Sequence, residues 1–430
     1  MCSFLFGRAL ALCLALALLG SGACARSAPS VVLRPKAPPP ESGPARTAPT
    51  ELEQATVYDT KPTRRGLRGD AADSAIAESL ANVANSTGLI ADGRLAELAL
   101  GIAASTDRAL HAPDFAQVTY HAHRAGIAEP TPQIWLASGA NVTVLLPALE
   151  RAIQDATRSS HLTHIGAAAL YIDPTQREAG VLIALALSTR LLTLRAPVPR
   201  SIDVGSLVGL AGELAAGYSS PVLAVTSEAG MTRTPLGKTR RFRRDIAASQ
   251  TGELTLELLA TGPEGLTVVA LMPVMVGVPV ATEPPARVTR DSEEDAATVG
   301  RKLLALIAEE RERRRLTPLR NDPRLAQAAL AHSQDMLAND FIAHSSRRSG
   351  DATERVSAAG LEAVLVLENI GRGYSAMELH HGLMESPGHR ANILNPEARE
   401  LGIGVVLQPE GDRHAFLVTE LFTQLSAHKP

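Results

Sequence analysis

Polar side chains that could do chemistry gather at three places in the last third of the sequence. They are the FIAHSS turn with His344, the LENIGRG segment with Glu368, and the ESPGHRANIL segment with Glu385 and His389. Two neutral imidazoles and a carboxylate can hold a zinc ion and leave one position open for water. Without a metal, a carboxylate beside an imidazole raises the histidine pKa and permits general acid or base catalysis. Because the three segments are far apart in the sequence, only the fold can bring these groups together.

Structural roles are the alternative interpretation of the same residues. Glu368 could accept hydrogen bonds from backbone amides, and the His389 imidazole could cap the turn that begins at Pro387. Ser345 and Ser346 follow His344, but adjacency in the sequence does not create a nucleophile hydrogen-bonded to a base. The residue types therefore leave catalysis, metal binding and a structural role open.

Several classes of protein are excluded by motif and charge. The sequence lacks the short motifs of zinc proteases, of α/β-hydrolase nucleophiles, of P-loops and of dinucleotide-binding folds. The formal net charge is -3 with 20% charged residues, so no overall field favours nucleic acid or an anionic membrane. The run EERERRR at 309–315 has no interleaved aromatic side chains, and we interpret it as a solvated helix end. We therefore expect no nucleic-acid partner.

Six segments of the last part resemble, in the same order, the CAP superfamily and specifically its bacterial SCP-like domains. They are RLAQAALAHSQDML, FIAHSS, GDATERVSAAG, LENIGRGYS, LMESPGHRANILNP and the strand pair ending in TELFTQ, which together span about residues 297–424. The resemblance implies an α-β-α sandwich with a concave cleft, lined by a His, Glu, Glu, His set that binds a divalent metal in some members. His344, Glu368 and His389 match three of these positions. Glu385 is nearest to the remaining glutamate, although Ser386 aligns with it, and bacterial members often lack this residue.

The resemblance also frames the function. Ligands of the family include sterols, fatty acids, divalent metals and cell-surface partners. The leading hypothesis is a non-enzymatic protein that binds a lipid, metal, glycan or protein in the cleft, with zinc as the metal that His344, Glu368 and His389 would hold. One alternative is a hydrolase that acts on envelope or extracellular peptides or glycans through the same residues. Another is a structural adhesion module whose N-terminal region makes the contact.

The N-terminal segment predicts export. In residues 1–25, Arg8 precedes an apolar run too short for a dedicated membrane span, and small residues follow. Cleavage after Ala25 and cleavage before Cys24, which leaves that thiol for lipidation as in bacterial lipoproteins, both fit the pattern. The three cysteines all lie in this segment, so the mature protein has neither a disulfide nor a thiolate metal site. We expect a location in the periplasm, outer envelope or extracellular space, with membrane contact only through a lipid anchor.

The remainder of the chain predicts an α+β protein of several units. A Pro/Ala-rich tether occupies residues 26–70. Helical spacing of apolar residues predicts a mixed helical region at 71–200, and short alternating runs predict a small β-sandwich at 201–282. A Pro-rich linker at 283–295 then leads to the α-β-α unit at 296–426.

An internal similarity connects the first and last of these units. IADGRLAELAL at 90–100 resembles RNDPRLAQAAL at 320–330, and a second pair of segments follows each in the same order. The region 71–200 is thus a candidate degenerate copy of the C-terminal unit. It lacks counterparts of Glu368 and His389, and Ser138 and Gly139 stand near the position of the glutamate.

Overall fold

The computed structural model describes residues 31–33, 54–63, 66–106, 113, 115–130, 132–159, 161–228, 230–263, 265–285, 294–339, 341–342, 344, 346–410 and 413–426. At a few helical and strand positions within these ranges, Glu385 among them, only the backbone is described. The signal segment with Cys24 lies outside the described residues, as do most of the tether and residues 286–293 of the linker. Among the described residues, no helix is long and apolar enough to cross a membrane.

The first unit combines helices with a mixed sheet. Its helices are α1 (Ser74–Thr87), α2 (Gly93–Ser105), α3 (Phe115–Arg124) and α4 (Val142–Ser159). Its strands are β1 (Val31–Leu33), β2 (Val57–Tyr58), β3 (Leu67–Arg68), β4 (Ile90–Ala91), β5 (Gln133–Gly139), β6 (His164–Tyr171) and β7 (Val181–Ser188). The sheet order is β1-β5-β7-β6-β3, and β4 also pairs with β6. Strands β1, β2 and β3 fall within the stretch for which the sequence predicts a tether.

Both faces of this sheet are covered by helices. Trp135 belongs to the apolar core shared with α1 and α4, whereas its neighbour Ile134 belongs to the core shared with α2 and α3. Successive side chains of a strand point to opposite faces, so an apolar strand such as β5 can supply two cores. The unit therefore has three layers, helix on sheet on helix.

The middle unit is all β. Its strands are β8 (Leu192–Leu194), β9 (Val198–Pro199), β10 (Ser201–Ile202), β11 (Leu207–Leu214), β12 (Ser219–Ser227), β13 (Gly230–Pro235), β14 (Arg241–Ala247), β15 (Gly252–Gly262) and β16 (Gly265–Val276). They form one sheet of order β10-β16-β15-β12-β13 and another of order β14-β11-β8, while β9 pairs with β2. Leu210 of one sheet and Leu256 and Met272 of the other belong to one buried core, as in two sheets packed face to face.

The last unit contains the predicted site. Its helices are α5 (Ala296–Arg313), α6 (Pro323–Ala338), α7 (Ala352–Ala358), α8 (Ala376–Glu385) and α9 (Pro387–Ile393). Its strands are β17 (Arg320–Asn321), β18 (Ala363–Gly373), β19 (Glu400–Glu410) and β20 (Arg413–Leu425), in the order β17-β19-β20-β18. Val299 of α5, Leu379 of α8 and Phe416 of β20 share one core, and Leu325 of α6 and Leu421 of β20 share another. The α+β class predicted from the sequence is confirmed.

The four strands of the last unit's sheet correspond to four of the six strands of the first unit's sheet, namely β4, β6, β7 and β5. Strand β4 pairs in parallel with β6 as β17 does with β19, and the central pairs β6–β7 and β19–β20 are both antiparallel. Asp92 caps α2, which follows β4, and Asp322 caps α6, which follows β17. A Cβ added to Gly166 would lie 2.1 Å from the α2 backbone, and one added to Gly402 would lie 2.2 Å from the α6 backbone. In both units, only glycine allows this approach of helix to strand. The unit boundaries predicted from the sequence stay predictions.

Candidate functional site

Glu368 and His344 form the centre of the candidate site. Strand β18 carries Glu368 in its middle, and the side chain is only 3% exposed. Its Oε1 lies 2.8 Å from Nδ1 of His344, whose side chain remains 43% exposed at the surface. The fold thus joins the first two of the predicted segments in a direct contact between imidazole and carboxylate.

Arg355 occupies the other oxygen of the same carboxylate. Its guanidinium forms a salt bridge with Oε2 of Glu368 and donates a hydrogen bond of 3.0 Å to the backbone carbonyl of His344. The Arg355 side chain is 4% exposed, so this ion pair is buried. Both oxygens of Glu368 therefore have a partner, and neither is a backbone amide as the structural alternative supposed.

Helix α7 holds Arg355 in this place. Oδ1 of Asp351 accepts a hydrogen bond of 2.9 Å from the backbone of Glu354, and the Glu354 carboxylate accepts one of 2.9 Å from the backbone of Asp351. This reciprocal capping box fixes the first turn of a helix that is too short to be stable alone. The resemblance of the segment GDATERVSAAG to the family implied no role for Arg355.

Side-chain amides attach α9, and with it His389, to strand β18. Nδ2 of Asn369 donates to the backbone carbonyl of His389 at 3.2 Å. Nδ2 of Asn392 donates to the carbonyl of Glu368 at 3.0 Å and to Oδ1 of Asn369 at 2.9 Å. The turn that carries His389 is therefore fixed beside Glu368 by neutral hydrogen bonds.

His389 is an uncharged imidazole at neutral pH. Burial, together with a smaller electrostatic effect of the nearby His344, lowers the pKa of His389 to about 3. Part of the His389 surface is nevertheless exposed. The structure thus places His389 within electrostatic range of the His344–Glu368 pair, with a ring that can donate or accept one hydrogen bond but carries no charge.

Glu420 is a further carboxyl group behind the site that the sequence analysis did not identify. It lies on β20, is fully buried, and its Oε2 accepts a hydrogen bond of 3.0 Å from Nδ2 of Asn369. Its Oε1 has no hydrogen-bond partner among the described residues, and burial raises the pKa of Glu420 to about 7. Within the strand HAFLVTELF, a glutamate at one inward position was the only available signal.

The remaining predicted residues contribute less. Glu385 ends helix α8, and its side chain is outside the description, so its role stays a prediction. Ser346 donates its hydroxyl hydrogen to Oδ2 of Asp335 at 2.5 Å, which leaves that proton committed away from His344. Ser345 lies outside the described residues.

A three-ligand metal site does not fit the arrangement of these side chains. Among the described residues, no three His, Cys, Asp or Glu side chains are placed to hold one ion. Oε1 of Glu368 is bonded to His344, and Oε2 could bind a cation only by giving up Arg355, which would then be buried without its counter-charge.

The β-sandwich unit reaches the same turn from outside. Glu257 of β15 is buried, and a Cβ added to Gly388 would lie 3.8 Å from its Oε2. Burial raises the pKa of Glu257 to about 7, against the opposing effect of Arg233 and Arg390. The environment of His389 thus includes a residue from another unit of the chain.

Among the described residues of the first unit, the matching strand positions hold no such centre. In the last unit, Gly402 pairs with Leu421, and Leu421 pairs with Glu368. In the first unit, Gly166 pairs with Ala186, and Ala186 pairs with Ile134. Ile134 therefore occupies the position of Glu368. Ser138 and Gly139, which the sequence analysis placed near this position, lie farther along β5, because an alignment by composition cannot fix strand register.

Comparison with known proteins identifies the family of the last unit. Residues 304–423 match the model of the CAP family, described as the cysteine-rich secretory protein family. An uncharacterized protein, YkwD, of Bacillus subtilis is 32% identical over 127 residues, which are 29% of this chain and 49% of that protein. An uncharacterized membrane protein, YlbC, of the same organism is 33% identical over 94 residues, 21% of this chain and 26% of that protein. The chain thus spans about half the length of the first relative and about a quarter of the second.

Solved structures of related proteins match with low overall scores. An extracellular protein containing an SCP domain from Bacillus anthracis is 21% identical, with 42% of this chain and 64% of that chain covered and a TM-score of 0.28. An outer surface protein from Borrelia burgdorferi is also 21% identical, with 31% and 97% covered and a TM-score of 0.28. At such scores these superpositions add nothing to the sequence match. The family model and the order of the matched segments agree, and residues 304–423 of this chain are a CAP domain.

Proposed function

We propose that this chain is an exported cell-envelope protein whose CAP domain binds a ligand without turnover, in the cleft beside His344, Glu368 and His389. The observation that carries the proposal is the double engagement of Glu368, between Arg355 on one oxygen and His344 on the other. The proposal that the chain is exported rests on the pattern of residues 1–25. It includes the alternative in which the exported chain is anchored through a lipid on Cys24.

The engaged carboxylate argues against an acid or base role for Glu368 itself. His344 and Arg355 already occupy the two oxygens of Glu368, so neither oxygen is free to exchange a proton with a ligand. Arg355 and Glu368 also cancel each other's charge, and His389 is neutral. The cleft therefore offers hydrogen-bonding groups with little net charge, which suits a ligand rich in hydroxyl or amide groups, such as a glycan.

The test uses the full chain, because Glu257 of the β-sandwich packs near Gly388. Soluble glycan fragments from a bacterial envelope, zinc chloride and phospholipid vesicles are added separately, and the melting temperature is followed. A ligand at 100 times its Kd stabilises the folded state by about 2.7 kcal/mol. We expect stabilisation by the glycan, loss of it in His344→Asn and His389→Asn, and retention in the exposed control His161→Asn. If the glycan has no effect, or if zinc alone acts through these histidines, the proposal is wrong.

A hydrolase is the second candidate, and the His344–Glu368 contact favours it. A carboxylate bonded to Nδ1 fixes the tautomer and orientation of a histidine that acts as general base. Because the Ser346 proton is bonded to Asp335, such an enzyme would have to activate water instead. The test is whether the protein releases product from the same glycan fragments. Release that is abolished in His344→Ala but not in His161→Ala would show that the protein is a hydrolase and would refute binding without turnover.

A further inference from the structure

Strand β14 is an open edge of the β-sandwich. It lies at the end of the sheet of order β14-β11-β8, so among the described residues it pairs with β11 alone. At one end of this pairing, the backbone amide of Leu214 donates to the carbonyl of Arg240. Because backbone groups alternate between the two sides of a strand, the amides of Arg241, Arg243 and Asp245 point away from β11. The sandwich thus presents free backbone donors and acceptors along β14.

The same edge carries an excess of basic side chains. Five basic residues and one acidic residue lie at positions 238–245, and all six are exposed: Lys238, Arg240, Arg241, Arg243, Arg244 and Asp245. Glu213 of β11 forms salt bridges with Arg240 and Arg241, so these two arginines already have a counter-charge. Arg243 and Arg244 form no salt bridge with any described residue. Their guanidinium groups are therefore available to an acidic partner.

The two available arginines lie on opposite sides of the strand. Arg243 shares the outer face of the sheet with Arg195, and the two flank Ala211 in one row across three strands. Arg244 follows the buried Phe242 by two positions and so belongs to the inward side, yet it is exposed. An inward charge at a sheet edge prevents unselective strand pairing, which is the structural role of such a residue. The same charges admit a strand whose own side chains are acidic.

Free amides and free guanidinium groups together define the kind of partner. Basic side chains alone would suit any polyanion, whereas unpaired backbone groups along a strand select an extended peptide. A second copy of this chain is less suited to the edge, because its β14 would bring the same excess of positive charge. The combination favours an acidic peptide segment.

We propose that β14 is a docking site for an extended acidic segment of a partner protein, which adds to the sheet as a further strand. The backbone of the segment bonds to the free groups of Arg241, Arg243 and Asp245, and its acidic side chains lie beside Arg243 and Arg244. Asp245 disfavours an acidic residue directly opposite and so sets the register of the segment. The site is independent of the CAP cleft, because β14 belongs to the β-sandwich.

The experiment is a calorimetric titration of the full chain with capped octapeptides. The probe alternates glutamate with threonine, which makes it acidic and favours the extended conformation. One control peptide has glutamine in place of every glutamate, and a second has every amide N-methylated, which keeps the charge and removes the donors. We expect both controls to bind about tenfold or more weakly than the probe. Equal binding of the N-methylated peptide would identify a site for any anionic polymer and overturn the proposal.

Two substitutions at one position separate strand addition from attraction of charge. Asp245→Pro removes a free amide and places a ring at the open edge, where proline is tolerated because this amide bonds to no other strand. Asp245→Ala removes the same negative charge and keeps the amide. We expect Asp245→Pro to bind the acidic peptide about tenfold more weakly than Asp245→Ala, although both substitutions raise the positive charge of the edge equally. Equal binding in the two variants would contradict strand addition.

Charge reversal locates the binding on β14. Arg243→Glu/Arg244→Glu should abolish binding of the acidic peptide. Arg151→Glu/Arg158→Glu makes the same change of charge at exposed positions of α4 and should bind as the wild type does. Sedimentation of the full chain tests the other occupant, since a dimer that dissociates in Asp245→Pro would replace the acidic segment by a second copy. Unchanged binding in Arg243→Glu/Arg244→Glu refutes the site, whatever happens to glycan binding in the cleft.

Discussion

Replacement of Arg355 by leucine gives the sharpest test of how the CAP site is held. The arginine and Glu368 are 4% and 3% exposed, so the substitution leaves a carboxylate in the interior without its counter-charge. Breaking a buried pair by removal of one partner costs about 3–5 kcal/mol. Two backbone carbonyls, those of His344 and Gly350, lose a donor at the same time. We expect Arg355→Leu to destabilise the CAP domain by about 4 kcal/mol, a large part of the stability of an ordinary domain.

The assay must resolve the CAP domain from the rest of the chain. Trp135 is the single tryptophan and lies in the first unit, so its fluorescence reports on that unit. Hydrogen exchange of the amides of β18 and β20, measured in the native state, reports on the CAP domain instead. In Arg355→Leu we expect faster exchange in these strands and an unchanged tryptophan transition.

A double variant supplies the control. In Arg355→Leu/Glu368→Leu no buried charge remains, so a substantial part of the lost stability should return, because two apolar groups can replace a buried ion pair at little cost. If Arg355→Leu costs less than about 1 kcal/mol, the pair behaves as a surface contact and the argument from burial is refuted. It is equally refuted if the double variant is less stable than the single one.

Three further predictions follow from buried groups and close contacts. The folded-state pKa of His389 is depressed to about 3, so its contribution to stability is present above pH 6.5 and is lost as the pH falls towards 3. The measurement is an NMR titration in which the His389 signal is assigned with His389→Asn. A midpoint near pH 6.5 would contradict the prediction. The folded-state pKa of Glu420 is raised to about 7, so its contribution is present below pH 4.5 and is lost as the pH rises through 7. Glu420→Gln should therefore flatten the loss of unfolding free energy between about pH 4.5 and pH 7, and an unaltered slope would contradict the raised pKa of Glu420. Gly402→Ala brings a methyl group to 2.2 Å from the backbone of α6 and should lower the free energy of unfolding by about 3 kcal/mol, at the upper end for overpacking. In Gly209→Ala, the control, the nearest contact of the new methyl group is 3.5 Å, and urea unfolding should be nearly unchanged.

The sequence predicted the site through the order of its segments. His344 and Glu368 are 24 positions apart, and no periodicity joins them, so their contact followed only from resemblance to a family. Arg355 could not be predicted in the same way, since a charged residue on a short helix normally faces solvent. Glu420 was hidden for a similar reason, because its neighbours fit an ordinary alternating strand.

The extent of the first unit was also difficult to predict. Val57 of β2 pairs with Pro199, and Leu67 of β3 pairs with Ala167; β2 and β3 have two residues each. Strands this short have no alternating pattern of their own, and their pairing depends on distant residues. A Pro/Ala-rich stretch with two such strands therefore resembles a flexible tether in sequence. The register of β5, which places Ile134 at the position of Glu368, likewise required the paired strands.

The matching sheets of the first and last units make this polypeptide its own reference for the energetic cost of a polar centre. Ile134, Trp135 and Leu185 stand in β5 and β7 where Glu368, Asn369 and Glu420 stand in β18 and β20. One copy of the framework buries two aliphatic side chains and a tryptophan at these positions, and the other buries two carboxyl groups and an amide. If the polar set is retained for binding at the expense of stability, the CAP sheet should open more readily than its apolar counterpart in the same molecule and the same solvent. The difference in amide exchange rate between the two sheets would then measure how much the polar residues lower the free energy of opening of the CAP sheet.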